Sequence, residues 1–481
     1  MSLHAAWQKS FGFLGGKLIV VEPVEEPLTS DAGLLPIRQF DEQIGLSAQF
    51  AAALADRRHE PFVEHRFAEM VRMRLYGILA GYADQNDHDQ LRYDPVFKLL
   101  ADREPADPAL ASQPTLSRFE NAIDIPSLRR LQDVLFDQFL ASFDEPPRRL
   151  VFDVDTFDDP THGQQQLTFF HGYYDQYQYQ ARVITCAQND QAVMVCLLHG
   201  TAHPALGADD DLEYLVTRLR QQWPDVVIEL RGDSGMAVPA LYEICERLDV
   251  QYSFGLRLNP VLKRRSDALL AEAVEQYEET GEPQRLFTGF WYQAGSWPQP
   301  RWVVVKGEAQ AAGTNRRVVV TNRPGARVLP EAAYDEYADR GESENRNKEL
   351  KCELQADRLS DHRYLANLFR LYLHAAALNL LVRLRRHVAD PPPEDPSAKL
   401  PGEALCGEAR RRFFNRRRER DPLGEGQACT WRMRLIKVAA RVVQTTRRVV
   451  VKLSGSWPHL EHYRRVSEQV LRFSSPALDS G

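Results

Sequence analysis

Residues 149–157 read RLVFDVDTF, in which apolar and acidic residues alternate as the two-residue period of a β-strand requires. Asp153 and Asp155 fall on one face with Val151, and Asp158 and Asp159 follow directly. Two further strand-like runs come next, YQARVITCA (179–187) and QAVMVCLLHG (191–200), joined by the turn residues Asn189 and Asp190. A helical stretch, DDLEYLVTRLRQQW (210–223), leads to the apolar strand DVVIELR (225–231), which stops at Gly232-Asp233-Ser234-Gly235. A second helix (VPALYEICERL, 238–248) and strand (QYSFGLRL, 251–258) complete the series.

Three strands in hairpin order followed by alternating helices and strands predict an α/β protein with a ribonuclease-H-like core, a mixed sheet flanked by helices. Its first strand is expected to be central, with the strand ending at Asp233 beside it and parallel. Residues 1–145 read as a helical, DNA-binding region, with helical apolar spacing at Phe67, Met70, Val71, Leu75 and Leu79. Within it, SQPTLSRFENAIDIPSLRRLQDVLFDQFL (112–140) offers a capped short helix, a Pro break and a longer helix. Ser117 and Arg118 on the short helix suit contacts to DNA, while a small structural helix is an equal alternative.

The core then divides into 146–275 and 331–388. Between them, 276–330 carries RLFTGFWYQAGSW, RWVVVKGEAQ and NRRVVVTNR, read as a small β insertion. HRYLANLFRLYLHAAALNLLVRLRR (362–386) is a long apolar helix, and ADPPPEDPSAKLPGE (389–403) opens a final region, 389–481, as an exposed linker.

The net charge of −7 is unevenly spread, since 401–481 hold 17 Lys/Arg against eight Asp/Glu. Arg416, Arg417 and Arg418 lie in that basic stretch and suit phosphate neutralisation. Six cysteines without a CxxC pair argue against a zinc site or disulfide framework and for a reducing cytoplasm. No membrane span or signal peptide is read from the sequence. The lack of a Gly-rich phosphate loop before Lys-Ser/Thr gives no indication of ATP.

Tyr337, Arg340, Glu344 and Lys351 are spaced so that one helix would hold all four within about 60° along roughly 21 Å. That helix is expected to bring Glu344 to the edge that carries Asp233 and a first-strand aspartate. Asp155, beside Thr156 near the strand's exit, is the favoured first-strand residue, and Asp153 is the second choice. Carboxylates that converge without a Lys between them suit hard cations, here two Mg²⁺ ions able to activate an attacking oxygen and stabilise a leaving oxygen of a phosphodiester. Mn²⁺ is expected to substitute.

These residues resemble the DDE transposases of bacterial insertion sequences, in the branch signed Tyr-x2-Arg-x3-Glu-x6-Lys. DDPTHGQQ (158–165), FFHGYYDQYQY (169–179), RGDSG (231–235), LNPVL (258–262), GYADQNDHDQLRYDP (81–95) and SQPTLSRFEN (112–121) are similar to the group named after insertion sequence thirteen-eighty. The resemblance implies a metal-dependent enzyme that nicks transposon ends and joins their 3′ ends to target DNA, working as a homodimer on two ends. It implies Asp155, Asp233 and Glu344 as metal ligands, and Tyr337, Arg340 and Lys351 as contacts to terminal phosphates. A Trp of the insertion is implied to stack on a flipped base, with Trp291, Trp297 and Trp302 as candidates, each of which suits the core of a small sheet better. Arg346 and Asn347 depart from the pattern, where an apolar residue is expected. Two alternatives remain: a nuclease of the same fold that cuts without joining, and a DNA-binding protein with an inactive site.

Overall fold

The computed structural model describes residues 7–389, 419–424 and 426–473. Its centre is a nine-stranded mixed sheet. In chain order the strands are β1 (Arg149–Pro160), β2 (Phe169–His171), β3 (Gln176–Cys186), β4 (Ala192–His199), β5 (Val227–Gly232), β6 (Gln251–Leu256), β7 (Gln284–Tyr292), β8 (Arg301–Gln310) and β9 (Gly313–Thr321). Across the sheet the order is β7-β8-β9-β6-β5-β1-β3-β2, with β4 also paired to β3. β1 lies between antiparallel β3 and parallel β5, the neighbours its sequence position predicted.

The sheet is covered on both faces. One face buries Phe152, Val154, Leu230 and Phe254 against Leu212, Leu215 and Leu219 of the helix Ala208–Gln222 and Tyr242 of the helix Pro239–Arg247. Near β3 and β4 the other face meets a larger helical core that includes Ile125–Leu140 and the helix Tyr364–Val388. The latter is long and apolar enough to cross a membrane, yet 89% of its most apolar window is buried inside the protein. It is the core helix on which the N-terminal helices pack.

Three expectations need correction. First, β7–β9 do not form a sheet of their own. Ser253–Leu256 of β6 pair with Val318–Thr321 of β9, so the insertion extends the central sheet. The physical reason is that Val318 and Val320 join one core and Val319 another, so both faces of β9 need cover. Second, Trp297 is 6% exposed and packs edge-on against Tyr242 and Tyr292, which leaves no face for a base. Trp302 is half-buried and touches Trp291, the most exposed of the three.

Third, the Tyr337–Lys351 stripe is not one helix. Helix Pro330–Ala338 stops, Gly341–Lys348 begins with Arg340 as its cap, and a wider π-turn covers Glu349–Glu353. Gly341 adds backbone freedom at the break.

Among the described residues, early and late segments meet. Leu28–Thr29 adds to a small sheet with Ala440–Thr445 and Arg448–Leu453, and helix Leu460–Arg472 packs on Leu34–Ile44, where Gln43 donates to the Val470 carbonyl at 3.0 Å. Arg416, Arg417 and Arg418 lie outside the described residues.

Candidate active site at the carboxylate edge

Parallel pairing sets the first two carboxylates side by side. The register Asp153↔Arg231 and Val154↔Gly232 runs on to bring Asp155 beside Asp233 where β5 ends. Strand alternation puts Asp153 and Asp155 on the same face, yet their surroundings differ. Asp153 is 3% exposed and takes a two-pronged bond from Arg231, Nε to Oδ1 at 2.7 Å and Nη2 to Oδ2 at 2.8 Å. Burial pushes its carboxyl up and the guanidinium opposes this. Asp153 is therefore committed to an ion pair.

Asp155 has no such partner. Its Oδ1 accepts the Thr156 N–H at 2.8 Å, and its other oxygen lies 3.4 Å from Arg340. Its carboxyl is pushed up to about 6, chiefly by burial; the Thr156 N–H and Arg340 oppose this, while Asp233 and Glu344 add to it. Asp233 and Glu344 thus lie near enough for their charges to act on Asp155. Asp233 is fixed by its own turn, with Oδ1 accepting the Gly235 N–H at 2.8 Å.

The helix carrying the third carboxylate is held down by a layer of ion pairs. Glu229, fully buried on β5, pairs with Arg149 of β1. Arg149 reaches Glu336 of the helix at 2.9 Å, Arg323 also pairs with Glu336, and Arg231 donates to the Glu336 carbonyl at 2.6 Å. Tyr337 then lies over Gly255, where a Cβ would stand 2.6 Å from the phenol oxygen, so only glycine admits the ring. One turn on, Arg340 bridges Asp155 and Glu344, the latter at 3.3 Å. The Glu344 side chain is 65% exposed. Lys351, redirected by the π-turn, pairs with Asp158 at 2.6 Å. Burial raises Asp158, but the bond and charge of Lys351 prevail and hold it below the ordinary range. Arg346 pairs with Asp190 in the β3–β4 turn, so the departure from an apolar residue ties the helix to the hairpin.

The donor set fits hard divalent cations, with acid oxygens that repel one another and an opening to solvent at Glu344. Among the described residues no three His, Cys, Asp or Glu side chains are yet drawn together as ligands of one ion. Arg340 stands between Asp155 and Glu344 instead. Arg118 is exposed and donates to Thr115 at 3.1 Å, and Ser117 lines a polar cleft of about 630 Å³ with Gln113, Asn121 and His362.

Sequence reading missed Arg231, Arg149, Glu229 and Glu336, which position the site. An arginine two residues before a strand-end aspartate was the available signal, since register places it opposite Asp153.

Residues 12–394 match the family described as Transposase DDE domain group 1. The chain belongs to that family. Membership in this DDE transposase family makes the carboxylate edge the part of the molecule to test for chemistry. No curated protein sequence matches the chain. Among solved structures, one described as the cryo-EM structure of piggyBac transposase synaptic complex with hairpin DNA is similar at 12% identity, over 94% of this chain and 89% of that one. Its TM-score of 0.40 is too low for an element-by-element comparison.

Proposed function

We propose that this protein is a DNA transposase that cleaves the ends of its element and joins them to target DNA by two-metal phosphodiester transfer. The observation that carries this is geometric: parallel pairing of β1 and β5 puts Asp155 and Asp233 at neighbouring strand positions, and Arg340 of the segment laid across them contacts both Asp155, at 3.4 Å, and Glu344, at 3.3 Å. The strand order supports a ribonuclease-H-like core, with 146–275 and 331–388 as its parts and 276–330 inserted. Tyr337, Arg340, Glu344 and Lys351, with the motifs at 81–95, 158–165 and 169–179, support the branch named after insertion sequence thirteen-eighty.

Family members generally use divalent metals. In this reading Asp155, Asp233 and Glu344 hold two Mg²⁺ ions, with Mn²⁺ as a substitute; these ions, when bound, supply charge neutralisation at the attacking and leaving oxygens. Arg340 and Lys351 are already engaged with carboxylates, so DNA phosphates compete for them and their cationic charge keeps the scissile strand in line. Tyr337 presents a phenol beside the same edge. The Arg416–Arg418 run and the ends at 1–145 and 389–481 supply further DNA affinity, with Ser117 and Arg118 as contacts. The acting form is a homodimer holding two ends, in the bacterial cytoplasm at the nucleoid.

The test uses duplexes taken from the DNA that flanks the gene, incubated with Mg²⁺. Nicks at a short inverted repeat, with the freed 3′-OH joined to a target plasmid, are the expected products. Cutting without joining would make the protein a nuclease, and neither reaction would remove the catalytic reading. Replacing Arg416, Arg417 and Arg418 by Ala is expected to flatten the salt dependence of duplex binding by up to about three units of slope.

A further inference from the structure

Five large aromatic side chains crowd the hairpin formed by β2 and the start of β3, within FFHGYYDQYQY. Phe169 is 44% exposed, Phe170 47%, Tyr173 85%, Tyr174 46% and Tyr177 57%. Single exposed aromatics are ordinary, but several on one short hairpin mark a candidate binding surface; Phe170 and Tyr177 share a face, while Phe169 turns to His199 on the other. Phe170 and Tyr177 face each other across the strands with ring centroids 5.6 Å apart, and Tyr173 and Tyr174 meet edge-on at 5.0 Å on the tip.

The hairpin is seated, not merely extended. Its turn is closed by the N–H groups of Tyr174 and Asp175 donating to the His171 carbonyl at 3.1 and 2.9 Å. Gly200 abuts its base, where a Cβ would stand 2.5 Å from the Phe169 carbonyl oxygen.

Its position points to the occupant. Gln176 donates to Asp158 at 3.2 Å, and Asp158 is the partner of Lys351. Asp158 lies three residues along β1 from Asp155, about 10 Å at strand rise, or roughly three nucleotides of a DNA strand. Residues 169–177 contain no Lys or Arg, so the hairpin offers a phosphate no fixed positive charge, while Lys351 beside it does. Flat, uncharged rings next to a phosphate-binding cation fit the faces of nucleobases.

We infer that the Phe169–Tyr177 hairpin is a stacking surface for nucleobases unpaired within about three nucleotides of the cleavage point. The inference rests on the transposase reading above. It moves base stacking away from the Trp residues of 276–330 to the opposite side of the site.

The experiment uses the full chain and duplexes from the DNA flanking the gene, with Ca²⁺ replacing Mg²⁺ to hold the complex uncut. One 5-iododeoxyuridine is placed at each position within five nucleotides of the mapped cut, and the irradiated complex is digested and sequenced. Crosslinks on Tyr173, Tyr174 or Tyr177 are expected, confined to about three nucleotides from the cut. Tyr173→Ala with Phe170→Ala should weaken binding to an end with mismatched bases at the cut by about 5- to 150-fold. Its salt slope should stay unchanged, and Tyr173→Phe should retain wild-type binding. Both replaced residues are exposed, so the thermal transition should not move.

Crosslinks elsewhere, or equal binding by the double variant, would overturn the inference while wild-type cleavage leaves the transposase reading standing. A changed salt slope would make the hairpin a phosphate contact and would also overturn it. So would a shift in sedimentation without DNA on Tyr173→Ala, which would assign the surface to a second copy of the chain. If wild type neither binds nor cuts any flanking DNA, both readings fall together.

Discussion

Asp153 and Asp155 share a strand, a face and an acid group, and stand two residues apart, yet the protein treats them oppositely. Asp153 is met by a guanidinium from the neighbouring strand, which neutralises it and makes it part of the scaffold. Asp155, two residues further on, has only a 3.4 Å contact from Arg340; burial, with Asp233 and Glu344 adding to it, pushes its carboxyl up to about 6. The same contrast separates two layers of the molecule. Beneath the helix, Glu229, Arg149, Glu336 and Arg323 alternate in sign, the Arg231–Asp153 pair joins them through the Glu336 carbonyl, and together they fix position. At the edge, like charges are gathered and left partly open. Close pairs build the platform, and the longer contacts of Arg340 with Asp155 and Glu344 mark where a cation and a phosphate can compete.

The largest effect expected from this contrast is on chemistry. Asp233→Asn, Glu344→Gln or Asp155→Asn should each lower Mg²⁺-dependent cleavage of end DNA by at least about 10³-fold, more than 4 kcal/mol of barrier. Binding of end DNA should stay within a few fold, because each change removes a carboxylate and no DNA contact. Retained nicking by the Glu344→Gln protein in a gel assay would remove that residue from the site.

In the buried layer the expected loss is stability. Arg231→Met leaves Asp153 charged and unpaired, and should cost about 3–5 kcal/mol in denaturant unfolding. Adding Asp153→Leu should recover much of that cost, because the orphaned charge is gone. If the double variant is as unstable as the single one, the pair is not what holds the layer.

Asp159 provides a pH test between the two regions. It is fully buried, accepts only a 3.4 Å bond from the Leu359 N–H, and is pushed up to about 8 by burial, with Asp357 and Asp158 adding to it. A carboxyl with a raised folded pKa contributes stability that is complete below its ordinary value near 4 and is lost as pH climbs through about 8. Asp159→Asn cannot ionise, so it should be nearly equal to wild type at pH 4 and more stable by on the order of 5 kcal/mol at pH 8, the gap widening by about 1.4 kcal/mol per pH unit between. Parallel melting curves for the two proteins across that range would contradict the assignment.

The smallest effect is expected for Lys351→Ala, about tenfold in affinity for pre-cleaved ends, or ~1.4 kcal/mol. It should also slow cutting, as measured by titration and single-turnover assays at fixed salt. Equal affinity and rate would leave the Lys351–Asp158 pair as structure alone.

What could be read from the sequence follows the reach of each signal. The alternation in RLVFDVDTF and the Gly stop after DVVIELR are local, and the parallel pairing of β1 with β5 came from them correctly. The choice of Asp155 over Asp153 rested only on nearness to the strand's exit. The physical distinction is the Arg231 bond, which depends on register across 78 residues of chain. The continuous 3-7-14 spacing of the Tyr337–Lys351 stripe concealed a break, because a helix pattern does not register Gly341 or the π-turn that swings Lys351 onto Asp158. The β insertion was legible as strands but not as sheet edges, since nothing local in NRRVVVTNR says that β6 waits for it. The Trp residues divide: the core reading holds for Trp297, 6% exposed, and not for Trp291, 47% exposed, a difference that nothing local in the sequence marks.

The account's central claim, that Asp155 is the metal-facing aspartate of this strand and Asp153 its scaffold, is tested most directly by exchanging oxygen for sulfur. Asp155→Cys should fail to cut end DNA in Mg²⁺ and regain cutting in Mn²⁺ or Cd²⁺, cations that accept a thiolate more readily. Asp153→Cys should show no such dependence on the cation. Wild-type cutting by Asp155→Cys in Mg²⁺, or rescue by the softer cations only at position 153, would contradict the account.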